Sequence, residues 1–235
     1  MSESLPPCVV LVFGRSRSGK NTFVYRYLAN LLTPQPLNEH PAACVFVFDW
    51  KYVKPDVTEA ADRMGRAAVT TEAGIMGALD SRLVIFNPHA MFPGTTRVKN
   101  LEGEYVLNDL RQGIRWFCDK VFALSRSGPG RKILFVDEPK NFMSKAYVYP
   151  EILRIATMGA ATGLGLLMAT HFPSQYHRDL RDSVTEWVCF NITEPDNLDA
   201  VRPYFPGVDQ VTTLPRGSFI AVNRDNGAEL AGKLF

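Results

Sequence analysis

The amino-acid sequence predicts an α/β fold in which a mostly parallel central sheet is covered by helices on both faces. Short apolar runs alternate with stretches of helical periodicity along all 235 residues, and this alternation is typical of βαβ units. The first apolar run, Val9–Phe13, leads into a loop bounded by glycines, and a later run over 132–136 ends in Asp137 and Glu138. Continuous apolar strands of this kind indicate a parallel sheet that is buried on both sides.

The loop after the first strand reads Gly-Arg-Ser-Arg-Ser-Gly-Lys-Asn-Thr. Its two glycines allow the backbone to curl, and a helix is predicted to open within the loop and to run to about residue 32. Backbone N–H groups and the positive end of that helix then point at one anion, and a lysine adds a point charge. The pattern predicts a cradle for the phosphates of a nucleoside triphosphate. The cradle residues are Gly14, Arg15, Ser16, Arg17, Ser18, Gly19, Lys20, Asn21 and Thr22.

The two carboxylates at the end of the 132–136 run predict hydrolysis of that nucleotide. Ligands collect beyond the carboxyl ends of parallel strands, where Asp137 would hold Mg²⁺ through water and Glu138 would orient and deprotonate the attacking water. The residue after the loop lysine is usually Ser or Thr, but here it is Asn21, followed by Thr22. Either side chain could offer an oxygen to the metal, so both stay candidate ligands. We expect an ATP hydrolase that uses Mg²⁺.

The remaining elements continue the alternation, and no repeat or linker divides the chain, so one domain over 1–235 is predicted. Further strands are expected at 43–48, 82–86, 165–170 and 187–192, and the predicted helices cover 56–80 in one or two pieces, 102–124, 149–161, a stretch up to 184, and 196–201. Strands at 218–223 and 229–235 flank Asp225-Asn226-Gly227, a favourable hairpin turn. They predict an antiparallel hairpin at the edge of the sheet.

Composition excludes some classes and leaves others open. No apolar run approaches the roughly 20 residues that span a bilayer, and the start lacks a basic segment before a hydrophobic one. We therefore expect neither secretion nor a transmembrane segment. The net charge of +2 neither favours nor excludes nucleic acid. The four cysteines are widely spaced, which predicts buried free thiols.

Several segments beyond the loop resemble the FtsK/HerA superfamily of DNA-pumping ATPases. Asp49-Trp50-Lys51 is similar to the Asp-x-Lys that follows the second strand of its members, and Asn87-Pro88 follows the next strand in the same way. The run 163–174 also fits, although members usually have Gln at the position of His171. Together with the closing segment 188–219, the resemblance covers nearly the whole chain.

An ATPase core of this length without accessory domains resembles, within that superfamily, the genome-packaging ATPases of icosahedral double-stranded DNA viruses with an internal membrane, the tectivirus-like group. The resemblance implies a three-layer P-loop NTPase fold of the RecA/FtsK kind and a homo-oligomeric ring, a hexamer. It also implies ATP-driven translocation of double-stranded DNA, without sequence specificity, into a preformed capsid. The expected partners are capsid-vertex or portal membrane proteins, and the expected location is the packaging vertex of the virion and the host cytoplasm.

The resemblance also implies roles for single residues, with ATP lying between neighbouring subunits. His171 takes the sensor position, where its imidazole can donate a hydrogen bond as a glutamine amide does, although its charge changes near neutral pH. The alternative is a loop histidine that bonds only to backbone. Ring ATPases use an arginine from the next subunit, and the candidate is Arg154, with Arg178 and Arg181 as alternatives.

DNA contact is assigned to Arg97 and Lys99, in a predicted loop over 92–100, because a pump grips the backbone through short basic loops without reading sequence.

Three alternatives to this function stay open. One is a different FtsK/HerA-type DNA pump, for plasmid transfer or segregation, which shares all of this chemistry. Another is a small P-loop kinase, which has no need of Glu138 to polarise water. A non-hydrolysing nucleotide binder is a third reading that Asn21 leaves some room for.

Overall fold

The computed structural model describes residues 8–32, 44–48, 66–69, 83–86, 88, 97–99, 105–107, 109–126, 130–141 and 143–235. The strands are β1 (Val9–Phe13), β2 (Cys44–Phe48), β3 (Arg66–Val69), β4 (Leu83–Phe86), β5 (Arg97–Lys99), β6 (Tyr105–Leu107), β7 (Lys132–Asp137), β8 (Leu164–Thr170), β9 (Glu186–Phe190), β10 (Ser218–Asn223) and β11 (Glu229–Lys233). The helices are α1 (Lys20–Leu32), α2 (Asp109–Ser125), α3 (Pro150–Met158), α4 (Arg178–Asp182) and α5 (Pro195–Val201). Short 3₁₀ turns cover Pro139–Asn141, Gly159–Thr162, Pro173–Gln175 and Val208–Thr213.

Nine strands form one sheet in the order β11-β10-β9-β1-β8-β7-β2-β4-β3. The pairs from β9 to β3 are parallel, and β10 and β11 add an antiparallel hairpin at the edge. The predicted mostly parallel sheet with its C-terminal edge hairpin is therefore confirmed. Strand β8 lies between β1 and β7, with Phe13 level with Thr170 and Asp137 level with Ala169. The carboxyl ends of β1, β8 and β7 thus meet at one edge of the sheet, where ligands of open α/β sheets bind.

Apolar side chains cover both faces of the sheet, which explains why its strands are continuous apolar runs. On one face, Ile114, Phe117 and Val121 of α2 are fully buried, at helical spacing. On the other face, Val24 and Leu28 of α1 pack with residues of β1, β2 and β4. Helix, sheet and helix form three layers, and burial of each large side chain contributes about 1.5–3 kcal/mol.

Two predicted elements are wrong. The helix expected from residue 102 begins at Asp109, because Tyr105–Leu107 is strand β6, which pairs with β5 in a separate two-stranded antiparallel sheet. The apolar side chain of Leu107 happens to continue the helical spacing of α2, so periodicity alone placed it in the helix. Helices were also predicted over 56–80, but Arg66–Val69 is strand β3 at the edge of the large sheet, and the rest of that range lies outside the described residues.

The remaining predicted elements are present, with boundaries that shift by a few residues. Helix α3 shows the largest difference, because it ends at Met158 and a 3₁₀ turn, Gly159–Thr162, continues it. Gly163 then closes that turn with a positive φ of 72°, a backbone conformation that favours glycine. Across the described ranges, every helix is too short or too polar to cross a bilayer.

Candidate functional site

Residues 14–22, here called the phosphate loop, curl between the end of β1 and the start of α1. Gly14 has φ of 150° and Gly19 has φ of 116°, values that side-chain-bearing residues rarely adopt. A Cβ on Gly14 would lie 2.6 Å from Cβ of Phe190. Arg17 is also left-handed, with φ of 61°. The curl predicted from the two glycines is therefore present at the amino end of α1, where helices commonly bind anions.

Two neighbouring segments hold the phosphate loop from outside. The N–H of Arg15 donates to the carbonyl of Asn191 at 2.9 Å, and the N–H of Gly217 donates to the carbonyl of Ser18 at 2.9 Å. The amide nitrogen of Asn191 in turn donates to carbonyls of the turn that leads to Gly217. Those carbonyls belong to Val211, Thr212 and Leu214. Asn191 therefore ties both braces together, with a side chain that is 5% exposed.

The side chain of Lys20 lies inside the curl, only 4% exposed. Its ammonium donates to the carbonyl of Gly14 at 2.8 Å and to that of Arg15 at 3.3 Å. It also lies 2.8 Å from Nδ1 of His171. The charge of the lysine is thus held where it can exchange these acceptors for the outer phosphate oxygens of a nucleotide.

Glu138 follows β7 in the left-handed region, with φ of 45°, a conformation that costs about 1–2 kcal/mol in a residue with a Cβ. Its N–H donates to the carbonyl of Ala169 at 2.8 Å. This bend turns the carboxylate towards the end of β8. There it accepts from the N–H of His171 at 3.3 Å and from the hydroxyl of Thr170 at 3.4 Å. Such strain at a buried carboxylate is typical of functional sites.

His171 joins the lysine to the glutamate. Its Nε2 lies 3.1 Å from Oε1 of Glu138, and its Nδ1 lies 2.8 Å from Nζ of Lys20. Because an ammonium can only donate and a carboxylate can only accept, the contacts to Lys20 and Glu138 fit a neutral tautomer with the proton on Nε2. The carbonyl of Gly14 also lies 3.0 Å from Nδ1 and would accept from a proton there. The imidazole side chain is 31% exposed, so a proton can reach it from solvent. The reading of His171 as a residue bonded only to backbone does not describe these contacts.

The segment after β8 is fastened on both sides of His171. The hydroxyl of Thr170 accepts from the N–H of Phe172 at 3.0 Å. The N–H and the hydroxyl of Ser174 both donate to Oδ1 of Asn197, at 3.2 and 2.7 Å. Beneath this segment Tyr176 is fully buried. Burial and the nearby carboxylate of Glu138 raise the pKa of its phenol well above the ordinary value, so it stays neutral.

The predicted magnesium ligands lie at the same edge of the sheet. Asp137 is the last residue of β7, and Asn21 and Thr22 are exposed in the first turn of α1. Their oxygens are the kind of ligand that Mg²⁺ prefers. The hydroxyl of Ser18 is buried in the phosphate loop and makes no hydrogen bond within the described part of the chain. A buried hydroxyl that makes no hydrogen bond to the described residues, inside a curled loop, fits a phosphate group as its partner.

The arginines predicted to act on a neighbouring subunit make contacts within their own chain. Arg154 forms an ion pair with Asp119, and its guanidinium lies 4.5 Å from the ring centroid of Phe122. These contacts join α3 to α2. The alternatives lie on α4, where Arg178 pairs with Asp182 at 3.5 Å and Arg181 donates to the carbonyl of Ala200 at 2.8 Å. The side chain of Arg178 is 81% exposed and that of Arg154 is 37% exposed.

Arg97 and Lys99, predicted to contact DNA from a loop, lie instead on strand β5. They stand opposite Leu107 and Tyr105 of β6 in the two-stranded antiparallel sheet. The expectation of a loop at 97–99 is therefore wrong, because these residues pair with a second strand. The two basic residues occupy alternate positions along β5. Their role in DNA binding stays a prediction.

Sequence reasoning did not identify three residues that shape the site. Thr170 positions the carboxylate of Glu138, while Asn191 and Gly217 brace the phosphate loop. Asn191 carried a signal, because a polar side chain directly follows the apolar run of β9 at the edge where the site lies. Gly217 carried a weaker one, as a glycine in a turn before a strand. Its φ of 82° requires glycine.

Solved structures of other proteins share this fold at low sequence identity. The genome packaging NTPase B204 from Sulfolobus turreted icosahedral virus 2, in complex with AMP, matches with a TM-score of 0.69 and 17% identity over 98% of this chain and 99% of that chain. VirB4 of Thermoanaerobacter pseudethanolicus matches with a TM-score of 0.60 and 11% identity over 97% and 89%. The pCW3 conjugation coupling protein TcpA, with ATPγS, matches with a TM-score of 0.53 and 11% identity over 97% and 60%. No family model matches this chain, and no curated protein is similar to it in sequence.

The class of the chain follows from these matches: it has the three-layer fold of the P-loop NTPases, as predicted. The neighbours are of the kinds that the sequence resembles, a viral genome-packaging NTPase and a conjugation coupling protein. The match to B204 covers both chains almost completely, and other structures of B204 hold AMPPCP and ATPγS.

Proposed function

We propose that this chain is an ATP hydrolase that translocates double-stranded DNA, and that its task is to package a viral genome into a preformed capsid. The observation that carries the proposal is the contact chain from Lys20 through His171 to Glu138 beside the phosphate loop. It brings a phosphate-binding cation, a titratable sensor and a carboxylate base into one site. The fold that the chain shares with a genome packaging NTPase supports the choice of task.

In the proposed reaction the phosphate loop binds the triphosphate through its N–H groups, and Lys20 moves from the loop carbonyls to the outer phosphates. Asp137, with Asn21 or Thr22, would hold Mg²⁺, which neutralises charge that develops on the phosphates. Glu138 takes a proton from the attacking water. Its left-handed backbone and its bonds to Thr170 and His171 orient the carboxylate for that step.

His171 would report the state of the nucleotide. Once a phosphate accepts from Lys20, Nδ1 of His171 loses the ammonium as its hydrogen-bond donor. The imidazole can then turn towards the γ-phosphate or the water and release Glu138. The segment that follows His171 is fastened to α5 through Ser174 and Asn197. Movement of the imidazole would therefore be passed to the region of α5.

For translocation we propose one domain over 1–235 that assembles as a homo-oligomeric ring, a hexamer, with ATP between subunits. Arg154 of the next subunit would stabilise the transition state after leaving Asp119. The β5–β6 ribbon, which carries Arg97 and Lys99, would contact the DNA backbone without sequence specificity. Capsid-vertex or portal membrane proteins would anchor the ring at the packaging vertex of the virion, which the protein reaches from the host cytoplasm.

The test is ATP hydrolysis measured with and without linear duplex DNA, together with the mass of the protein in solution. We expect hydrolysis that duplex DNA stimulates and that Lys20→Ala abolishes. Reversing the charges of Arg97 and Lys99 should remove the stimulation and spare the basal rate. Loss of both rates would assign the ribbon a structural role. Absence of hydrolysis under all of these conditions contradicts the proposal.

A second candidate is a DNA pump for plasmid transfer or segregation, favoured by the match to the conjugation coupling protein TcpA. It uses the same chemistry and differs in where the DNA goes. Neighbouring genes separate the two, because capsid genes beside this one favour packaging and transfer genes favour conjugation. In a reconstituted assay, packaging requires empty capsids, whereas a transfer pump moves DNA without them.

A further inference from the structure

We propose that Phe235, together with Arg216, forms the surface on which the base of the bound nucleotide stacks. The inference rests on the proposed function, because it takes the triphosphate to lie in the phosphate loop. It adds a binding group for the base, to which the proposed chemistry of hydrolysis assigns no residue. Its basis is an exposed aromatic ring that lies against Gly217, a residue that is hydrogen-bonded to the phosphate loop.

Backbone hydrogen bonds place the end of the chain beside the phosphate loop. The N–H of Gly217 donates to the carbonyl of Ser18 at 2.9 Å, and the N–H of Leu234 donates to the carbonyl of Gly217 at 2.9 Å. Arg26 of α1 donates to the carbonyl of Leu234 at 2.8 Å. The side chain of Leu234 packs so closely that a Cβ on Gly19 would lie 3.1 Å from its Cδ1. Three bonds and one packed contact therefore fix this segment on the loop.

The ring of Phe235 lies on the bare backbone of Gly217. A Cβ on Gly217 would lie 2.7 Å from the ring, and φ of 82° at that position also requires glycine. The guanidinium of Arg216 lies 5.9 Å from the ring centroid, a cation–π distance. Although its ring packs closely on Gly217, Phe235 is 59% exposed. One face of an aromatic ring is thus positioned by glycine and arginine while much of the residue stays open to solvent.

A nucleotide in the phosphate loop needs a surface of this kind. Its phosphates bind the N–H groups of the loop, so the ribose and the base lie beyond the rim of the loop. Every base has a flat π-face, which stacks on aromatic rings and on guanidinium planes. Phe235 and Arg216 supply both partners, and their chain neighbours Leu234 and Gly217 contact Gly19 and Ser18 of the phosphate loop. Stacking reads no hydrogen-bond edge, so this contact binds a base without selecting which base.

The experiment compares two ligands that share phosphates and differ in the base: ATP and inorganic tripolyphosphate, each with Mg²⁺. Affinities are measured for the wild type, for Phe235→Ala and for Phe235→Trp. We expect Phe235→Ala to weaken ATP binding at least about fivefold. Its affinity for tripolyphosphate should stay within about twofold of the wild type, and Phe235→Trp should restore ATP binding. Leu230→Ala is the matched control, because Leu230 is 64% exposed on β11 of the same hairpin.

Equal weakening of ATP and tripolyphosphate by Phe235→Ala would overturn the inference, because the ring would then only support the loop. Unchanged affinity for both ligands would overturn it as well. Phe235→Leu keeps apolar bulk against Gly217 without a π-face, so it should resemble Phe235→Ala if stacking is the cause. If the wild type binds neither ligand, the proposed function fails and this inference fails with it. If the wild type binds ATP and tripolyphosphate, and Phe235→Ala weakens binding of ATP more than binding of tripolyphosphate, the proposed function and this inference are both supported.

Discussion

The substitution Glu138→Gln separates the catalytic role of this carboxylate from its structural one. Glutamine has nearly the same shape and keeps one oxygen that accepts hydrogen bonds, but it cannot take a proton from water. The carboxylate of Glu138 accepts from the N–H of His171 and from the hydroxyl of Thr170, and its other oxygen lies 3.1 Å from Nε2 of His171. The amide can keep the bond to one nitrogen of His171, and the Thr170 hydroxyl can rotate to accept from its NH₂. About one hydrogen bond is lost, worth about 1 kcal/mol.

The expected effects on folding and on catalysis therefore differ greatly in size. Glu138 is 5% exposed, so removing its charge also removes a desolvation penalty that offsets part of the lost hydrogen bond. We expect the free energy of unfolding to change by less than about 1 kcal/mol. Loss of a positioned general base lowers the rate about 10²- to 10⁴-fold, which corresponds to about 3–5 kcal/mol in the activation barrier. Affinity for ATP should stay within about threefold, since Lys20 and the phosphate loop are unchanged.

The assay is single-turnover release of phosphate, accompanied by equilibrium binding of ATP and by thermal unfolding. Lys20→Ala is the comparison, because it removes the phosphate-binding cation and should abolish binding itself. Glu138→Ala is a second comparison, because it also removes the acceptor for Nε2 of His171 and should weaken the position of that ring. We expect Glu138→Gln alone to combine near-normal binding with lost hydrolysis.

Three results would refute this reasoning. Turnover of Glu138→Gln within about tenfold of the wild type would mean that the carboxylate is not the base, since a positioned base contributes at least about 10²-fold. Transfer of the γ-phosphate to an added metabolite, in place of water, would identify a small P-loop kinase. A binding defect as large as that of Lys20→Ala would mean that Glu138 mainly supports the phosphate loop.

Three further predictions address the sensor, the brace and the thiols. His171→Gln should change turnover and its pH profile, because a histidine side chain exchanges protons near neutral pH and a glutamine amide does not. Asn191→Ala should lower the free energy of unfolding by about 1–3 kcal/mol and weaken ATP binding, because it frees the turn that braces the loop. Cys44, Cys118 and Cys189 should resist a thiol reagent at pH 8 in the native state and react after denaturation. Burial raises all three thiol pKa values, that of Cys44 to about 12, so little reactive thiolate forms.

Each of these three predictions would be contradicted by one specific result. A pH profile that is identical in the wild type and His171→Gln would remove the sensor role. Denaturant unfolding of Asn191→Ala at wild-type stability would show that the braces do not depend on its amide. Rapid labelling of Cys44, Cys118 and Cys189 before unfolding, located by mass spectrometry, would contradict their burial.

The sequence predicted the parts of the site that depend on local chemistry. Gly14 and Gly19 predict the curl of the phosphate loop, because side-chain-bearing residues rarely adopt the backbone angles found at these two positions. The apolar run before Asp137 predicts a buried strand. Helix periodicity located the buried face of α2. Periodicity failed at Tyr105–Leu107, because a run of three apolar residues next to a helix is too short to distinguish helix from strand. Pairing with β5 makes this run a strand.

The contacts within the site depend on the order of strands, which no local pattern determines. Because β8 lies between β1 and β7, the end of β8 brings His171 to Lys20 on one side and to Glu138 on the other. The sequence suggested a sensor at His171 through a resemblance and gave no reason for it to touch the lysine. No local pattern predicted the contacts of Asn191 either, because its backbone carbonyl accepts from Arg15 and its side-chain amide donates to Thr212, both distant in sequence.

The groups that meet at the phosphate loop are scattered along the polypeptide, and this affects how the protein is made. The loop lies at 14–22, while the groups that complete its surroundings follow β7, β8 and β9 and precede β10. A ribosome that has released only the amino-terminal half has therefore produced the phosphate loop without its braces, base or sensor. ATP bound as proposed would stabilise only the finished fold, and would therefore favour completed chains over partly synthesised ones.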